Sequence, residues 1–252
     1  MDTTKRLRSL LYFGLLCANL AVFASTGYSF LQTKQQFEDR AETLSQNVVL
    51  AVAQNITGSL EKIDVAMSDL KWEIESSFDV ENRVIGDDFI GPLNRLKKSL
   101  PEVEAVRVVD SKGLIVLGSG LTSAHNVNVA DREYFAYYRE RDENRLHLSK
   151  PLIGRVIKAR FVTLGRRLNY PDGTFAGIVY AIVTIDYINR LLASFELGEH
   201  GTITLRESNL ALITRWPPLL DSPVGEAGNA QVSPELLSQL EKGIDAGTIS
   251  NT

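Results

Sequence analysis

Residues 131–167 concentrate charged and aromatic side chains of the kind that bind small anions. The stretch contains ten arginine or lysine residues and five acidic ones, whereas the net charge of the whole chain is −4. A guanidinium group holds a carboxylate through two parallel hydrogen bonds, so a few arginines turned into a concave site would select small anions. Aromatic residues that could wall such a site begin the stretch: Tyr134, Phe135, Tyr137 and Tyr138.

Several of these cations are expected to be surface charges. In the segment RERDENR the basic residues are interspersed with acids, a pattern typical of a solvated face; they are Arg139, Arg141 and Arg145. Arg166 and Arg167 are neighbours on a predicted strand, so at most one of them should face inward. Three residues remain as candidates for the edge of a pocket: Arg155, Lys158 and Arg160. Asp186, which ends the last predicted strand, is a candidate for binding a ligand amine.

The residues that could support catalysis or bind a metal do not form a known pattern. His125, His147 and His200 are far apart and have no cysteine or paired carboxylate at ligand spacing, so neither a metal site nor a cofactor is expected. The segment GSGLTS, which begins at Gly118, lacks the lysine of a phosphate-binding loop and indicates a turn at the end of a strand. We therefore expect no enzymatic activity within this chain.

The N-terminal segment has the composition of a membrane span. The 25 residues from Ser9 to Thr33 contain no charged side chain, and a helix of roughly 20 apolar residues crosses a bilayer core. Lys5, Arg6 and Arg8 precede the run and predict a cytoplasmic N-terminus, with the remaining residues exported. A cleaved signal peptide is the alternative. Because the basic stretch would lie on the exported side, nucleic acid is not expected as a partner.

A long amphipathic helix is predicted to follow the span. Between Gln32 and Phe78 there is no proline, and apolar residues recur every three or four positions from Phe37 to Ile74. A helix of about 45 residues would be roughly 68 Å long, longer than a small domain is wide. We expect its second half to pack on its own domain. Its first half could instead face the same helix of a second protomer.

After residue 78 the sequence predicts an α+β fold with an antiparallel sheet. A helix is predicted over Leu93–Leu100, followed by a hairpin of two strands and a short helix in DREYFAYYRERDE, capped near Asp131. Three further strands are expected in RLHLSKPLI, RFVTLGRRLNY and TFAGIVYAIVTID, the last two joined by a Pro-Asp-Gly turn. A helix that ends at Gly198 follows them.

This order of elements, the DREYF segment, the strand pair around PDG and the closing ELGEHGTITLRESNLALITRWP resemble a family of bacterial sensor domains. These are the extracytoplasmic PAS-like domains called double Cache or PDC domains. The resemblance covers roughly residues 30–250. It implies a membrane-distal pocket around the DREYF helix and the adjacent strands, with four candidate ligand-binding residues on that segment: Asp131, Arg132, Tyr134 and Phe135. Asp186 and the pocket-edge residues complete the set of candidates. Arg132 and Tyr134 match the family pattern best.

The resemblance implies a periplasmic domain, anchored in a bacterial inner membrane, that senses a small ligand. The basic stretch favours an anionic or zwitterionic metabolite, and the apolar stripe of the stalk favours a homodimer. Family members continue into a second span and a diguanylate cyclase, phosphodiesterase or histidine kinase domain, whereas this sequence stops at Thr252. A membrane-tethered scaffold that binds no metabolite is the alternative. The expected segments are a cytoplasmic N-terminus (1–8), a membrane helix (9–31), a stalk helix (32–78), a Cache domain (79–198) and the start of a smaller PAS-like module (199–252).

Overall fold

A computed structural model describes residues 3–78, 85–121, 127–198, 201–219 and 222–242. His125, His200 and the GTIS segment at 247–250, all considered above, lie outside these ranges. Contacts divide the chain into two units, whose described parts are residues 3–50 and 51–242. The predicted α+β fold is confirmed.

The first unit is the N-terminal part of a single helix, α1, which runs without interruption over Thr3–Ser76. From Phe13 onward it has the length and apolar composition of a membrane span, with a mean hydropathy of 1.4 over 18 residues, and none of that window is buried. Among its described residues, Phe23 and Phe30 are each more than two-thirds exposed. The uninterrupted helix follows from the absence of proline between Thr3 and Ser76.

The second unit is built on an antiparallel sheet with the strand order β2-β1-β6-β5-β3, and β4 also pairs with β5. The strands are β1 (Ala105–Asp110), β2 (Ile115–Gly118), β3 (His147–Leu148), β4 (Leu152–Ile153), β5 (Arg160–Asn169) and β6 (Phe175–Thr184). The predicted strand RLHLSKPLI is divided into β3 and β4 around Lys150 and Pro151. Gly173 supplies the positive φ of +79° that the β5–β6 turn requires.

Besides the end of α1, the described part of this unit contains four α-helices: α2 (Ile90–Ser99), α3 (Glu133–Glu140), α4 (Ile185–Ala193) and α5 (Pro234–Glu241). α2 begins three residues earlier than the predicted Leu93. α3 begins after Arg132, which occupies the N-cap position next to the predicted Asp131 but makes no capping hydrogen bond through its side chain. Between α4 and α5 the chain forms a second, two-stranded sheet from β7 (Ile203–Arg206) and β8 (Leu212–Trp216).

Both faces of the six-stranded sheet are covered. On one face, α1 presents a buried stripe of Ile63, Met67, Leu70 and Ile74, as its periodicity predicted. On the other face, α3 packs with Phe135 and Tyr138, which are at most 1% exposed. Because the two sides of each strand meet different helices, β5 and β6 are buried along almost their whole length.

This double covering overturns the expectation that only one of Arg166 and Arg167 is turned inward. The two side chains point to opposite faces of β5, and both residues are at most 9% exposed. Arg166 meets Asp64 of α1 at 2.5 Å. Arg167 donates to the carbonyl oxygens of Tyr138 and Arg139 at the end of α3. A strand with two covered faces can bury consecutive charges, provided that each charge finds partners.

Candidate ligand-binding site

A small cavity lies on the α3 side of the sheet, between the central strands and the turn that follows β4. Its volume is about 20 Å³, close to the space that one water molecule occupies. The polar part of its wall consists of three arginines and two tyrosines: Arg107, Arg132, Arg155, Tyr134 and Tyr180. The remaining wall is mainly apolar and includes Ile115, Phe161 and Ile182. We call it the inner cavity.

Arg107 is the most deeply buried cation of the inner cavity, at 4% exposure. Its Nη1 donates to the carbonyl oxygens of Val106 at 3.0 Å and Ser119 at 2.8 Å. Its Nε is buried and has no hydrogen-bond partner among the described residues. Burial lowers the pKa of Arg107, yet a guanidinium keeps its proton at neutral pH. The result is a fixed positive charge whose buried Nε donor is unsatisfied by the described residues.

Space for this guanidinium depends on a glycine in the neighbouring strand. Gly118 of β2 lies directly opposite Arg107 of β1 in the register. A β-carbon at position 118 would come within 2.7 Å of Arg107 Cδ and Nη1. The glycine is therefore needed for Arg107 to lie flat beside the strand.

Tyr134 of α3 and Tyr180 of β6 form the aromatic part of the wall, with ring centroids 5.4 Å apart. Burial raises the pKa of the Tyr134 hydroxyl and raises that of Tyr180 well above its usual value. Both phenols are therefore neutral at physiological pH. Each can donate or accept a hydrogen bond to a bound molecule.

Arg132 and Arg155 hold the segment that covers the inner cavity. This covering turn comprises residues 154–159, between β4 and β5. Arg132 Nη2 donates to the carbonyl oxygen of Ile153 at 3.1 Å. Arg155 binds the Asp131 carboxylate through two hydrogen bonds of 2.9 and 2.5 Å, and its guanidinium lowers the pKa of Asp131. Arg155 also donates to the carbonyl oxygen of Asn128.

A second, outer cavity of about 360 Å³ adjoins the inner one. The two share Arg132, Tyr134 and Leu152, so these side chains separate them. The outer wall contains Glu133 and Lys150, which pair at 2.7 Å. Its volume lies within the range of about 300–1,000 Å³ that is typical of small-molecule sites.

Tyr137 and His147 form the aromatic part of the outer wall. Their rings stack at 3.6 Å between centroids, with an interplanar angle of 9°. Burial, reinforced by the positive charges of Arg145 and Arg141, lowers the pKa of His147. The imidazole is therefore largely neutral at physiological pH.

The structure brings four of the eight candidate residues together at the inner cavity. Arg132, Tyr134 and Arg155 line it, and Asp131 is paired with Arg155. Phe135 instead packs in the core, edge-on to Phe175 at 5.6 Å.

The other three candidates lie elsewhere on the described surface. Lys158 lies within the covering turn and Arg160 directly follows it, but both are exposed. Asp186 is exposed in the first turn of α4 and belongs to neither cavity.

Sequence reasoning missed Arg107 and Tyr180. Arg107 interrupts the strand AVRVVD, where a charged residue within a β-branched run is itself a signal of a buried polar site. Tyr180 lies in the apolar strand FAGIVYAIVT and gave no comparable signal. No cluster of three metal-binding side chains occurs among the residues that the structure describes.

No protein-family model matches the sequence, and neither does any curated protein. Solved structures do match. The extracellular domain of a protein described as a histidine kinase, rpHK1S-Z16, is 24% identical with a TM-score of 0.62, covering 73% of this chain and 71% of that one. The chain has the fold of an extracellular sensor domain.

Two chemoreceptor domains share this sensor fold. The sensory domain of Tlp3 from Campylobacter jejuni, solved with isoleucine, is 13% identical with a TM-score of 0.57, covering 79% of each chain. The ligand-binding domain of PctC from Pseudomonas aeruginosa PAO1, solved with GABA, is 12% identical with a TM-score of 0.55, covering 68% of this chain and 74% of that one. The resemblance to Cache-type sensors is thus confirmed at the level of the fold, and these neighbours are sensor rather than catalytic domains.

Proposed function

We propose that this chain is the periplasmic sensing part of a transmembrane signalling protein, and that it binds a small carboxylate or amino acid where the inner and outer cavities meet. The observation that carries the proposal is the convergence of Arg107, Arg132 and Arg155 on one cavity walled by tyrosines and apolar side chains. Such a site selects anions, because guanidinium groups are strong donors to carboxylates in a water-poor environment. Several structural neighbours were solved with amino acids, including isoleucine, L-valine and GABA.

Arg107 is the anchor of the proposed site. Its side chain is already desolvated and held by two carbonyl oxygens, so little further ordering is required when a ligand arrives. The unpartnered Nε offers a donor that the described residues do not satisfy. A ligand carboxylate would supply both the missing acceptor and the opposite charge.

Binding requires the covering turn to move, because the inner cavity of about 20 Å³ is too small for an amino acid. Among the described residues, side-chain contacts at Ile153 and within the turn hold it in place: Arg132 donates to the Ile153 carbonyl, and Arg155 binds Asp131 and the Asn128 carbonyl. A carboxylate that drew Arg132 away from Ile153 would exchange a neutral acceptor for a charged one, which makes the stronger hydrogen bond. The inner and outer cavities would then merge around Arg132.

The moving turn leads directly into β5, and β5 is tied to α1 by polar contacts. Arg166 pairs with Asp64 at 2.5 Å, Lys71 Nζ donates to the Arg167 carbonyl at 3.0 Å, and Glu75 accepts from the Asn169 backbone at 2.7 Å. These bonds give a displacement of β5 a physical route to α1. We propose that this helix carries the signal toward the membrane and a cytoplasmic output domain.

We further propose that α1 crosses a bacterial inner membrane and pairs with α1 of a second protomer just outside it, in the first half of the predicted stalk (32–78). Phe37 and Leu44 belong to the predicted apolar stripe, and each is about two-thirds exposed in the single chain. Pairing two such helices would remove this apolar surface from water. It would also allow a small shift of one helix against the other to serve as the signal.

A thermal-shift screen of the detergent-solubilised chain against organic acids and amino acids tests the binding proposal. A ligand at a hundred times its Kd should add about 2.7 kcal/mol to the free energy of unfolding and raise Tm. The shift should disappear in Arg107→Met, provided that this variant still melts cooperatively. A screen with no shift would contradict metabolite sensing and favour the alternative of a tethered scaffold.

A further inference from the structure

An apolar cleft of about 310 Å³ lies on the α1 side of the sheet, away from the inner cavity. Its walls come from α1, the strands β5 and β6, α4, and the two-stranded sheet, through residues such as Ile63, Val162, Ile188, Leu205 and Ile213. The volume is at the lower end of the range of about 300–1,000 Å³ found for ligand pockets. The cleft thus has the size and the lining of a site for a small apolar molecule.

One buried carboxyl group breaks this apolar lining. Glu102, in the turn between α2 and β1, lines the cleft and is deeply buried, with an exposed fraction of 7%. Its Oε2 is buried and finds no hydrogen-bond partner among the described residues. Native proteins rarely leave such an oxygen unsatisfied, so an unpaired buried carboxyl oxygen indicates a partner that binds there.

The basic side chain in the cleft wall, Arg206, is already hydrogen-bonded to other groups. Arg206 lines the cleft, but its guanidinium donates to the carbonyl oxygens of Leu210, Asn229 and Gln231 at 2.7, 3.0 and 3.3 Å. Glu207 adds a second acidic side chain to the wall. The charge that the cleft lacks is therefore positive.

Tyr187 of α4 also lines the cleft and lies near the carboxylate of Glu102. Partial burial raises the pKa of its hydroxyl, and the neighbouring Glu102 raises it further. The neutral phenol can accept a hydrogen bond, and its ring offers a face to a cation. Ser59 of α1 supplies another hydroxyl to the same wall.

We infer that this cleft binds a primary alkylammonium ion, whose ammonium group pairs with Glu102 and whose hydrocarbon chain lies along the apolar wall. An ammonium has three donors and no acceptor, which suits an unpaired carboxylate oxygen with the Tyr187 phenol nearby. A divalent metal ion would need more oxygen ligands than one buried carboxyl group and an apolar wall supply.

An occupant of the cleft would contact α1 directly between Ile56 and Ile63. It would touch α4 and the second sheet at the same time, through Leu191 and Leu205. The cleft is thus a place where a second ligand, chemically distinct from a carboxylate held near Arg107, would act on the helix that leads to the membrane.

Calorimetric titration of the full chain in lipid nanodiscs with n-hexylammonium tests this inference. We expect saturable binding to the wild type and at least about a tenfold weaker Kd for Glu102→Gln, the factor expected when a hydrogen bond to a charged group is lost. Partitioning of the amine into lipid is the same for both proteins and cancels in their difference. Equal heats for wild type and Glu102→Gln would overturn the inference.

An uncharged ligand tests the chemistry of the occupant. Hexanol has the same chain without the charge and should bind at least about tenfold more weakly, for the same reason. Equal or tighter binding of hexanol would show that the cleft does not recognise an alkylammonium ion.

A cysteine at the cleft wall tests whether a protein segment fills the cleft instead. Ser59→Cys in a cysteine-free background should react with a small maleimide, because Ser59 lines the cleft. Hexylammonium should slow that reaction when Glu102 is present, and it should not slow it when Glu102→Gln is added to the same background. Protection of the cysteine before any amine is added would mean that another part of the chain or a second copy covers the cleft. That result would also overturn the inference.

Discussion

Replacing Asp64 by alanine should destabilise the sheet domain, because it leaves the buried guanidinium of Arg166 without its ion-pair partner. The Arg166 side chain is 8% exposed and pairs with Asp64 at 2.5 Å. Without Asp64 it retains only the two oxygens of Asn144, each at 3.2 Å, and its Nε already lacks a partner among the described residues. The lost contact also belongs to the proposed route from β5 to α1.

The size of the effect follows from the exposure of the two partners. Loss of a hydrogen bond to a charged group costs about 1.5–3 kcal/mol. The Asp64 side chain is 40% exposed, so water can reach the vacated space and reduce that figure. We expect a loss of about 1–2 kcal/mol, and a fall in Tm of about 2–8 °C for a chain of this size.

Asp69→Ala is the matched control, since Asp69 lies on the same helix and is exposed. Both substitutions change helix propensity equally, so their difference reports the ion pair. Thermal melting of the chain in detergent, followed by near-ultraviolet circular dichroism, provides the measurement. The double variant Asp64→Ala/Arg166→Met should be more stable than Asp64→Ala alone, because it removes the stranded charge. Equal melting of the Asp64 and Asp69 variants, or a less stable double variant, would refute the reasoning.

Three further predictions concern the ligand, the stalk and the response to pH. Once a ligand is found, Arg132→Ala should weaken its binding by about 2–5 kcal/mol in calorimetry. Arg141 is exposed, so Arg141→Ala should change the affinity little. Equal affinities of the two variants would show that the site is placed wrongly. In a cysteine-free background, Leu44→Cys should cross-link protomers in membranes and Gln46→Cys, on the opposite side of the helix, should not; absence of cross-linking throughout a heptad scan would exclude the paired stalk. The pKa of His147 is lower in the folded chain than in the unfolded chain, so below the unfolded pKa of about 6.5 the unfolded chain binds more protons and stability falls. Between pH 7.5 and pH 5, the Tm of His147→Phe should therefore fall less than the Tm of the wild type. Identical falls in Tm would contradict this prediction.

The elements that the sequence predicted well are those whose signals are local. The spacing of Ile63, Met67, Leu70 and Ile74 places one apolar stripe on a helix whatever that helix packs against. The turn around Gly173 is similarly specified by the residues within it, and so is the hairpin it closes. The N-terminal apolar run needs no tertiary information either, because its length alone matches a bilayer.

The candidate site could be only partly predicted. The DREYF segment led to Arg132 and Tyr134, which do line the inner cavity, and to Asp131 beside it. The partner of Asp131 is Arg155, which lies 24 positions further along the chain, so no local pattern could reveal that these two side chains form an ion pair. Arg107 could be noticed as a charge within a strand, but its approach to α3 depends on the position of β1 beside β6.

The sequence by itself determined the membrane-span composition, the long helix, the α+β class and the neighbourhood of the site, since each depends on residues close together in the chain. The tertiary structure alone decided which charges are free and which are paired. It buried Arg166 and Arg167 on opposite faces because α1 covers one side of β5 and α3 the other. It left Glu102 without a hydrogen-bond partner among the described residues because the packing of distant elements, rather than the order of residues, determines where water is excluded.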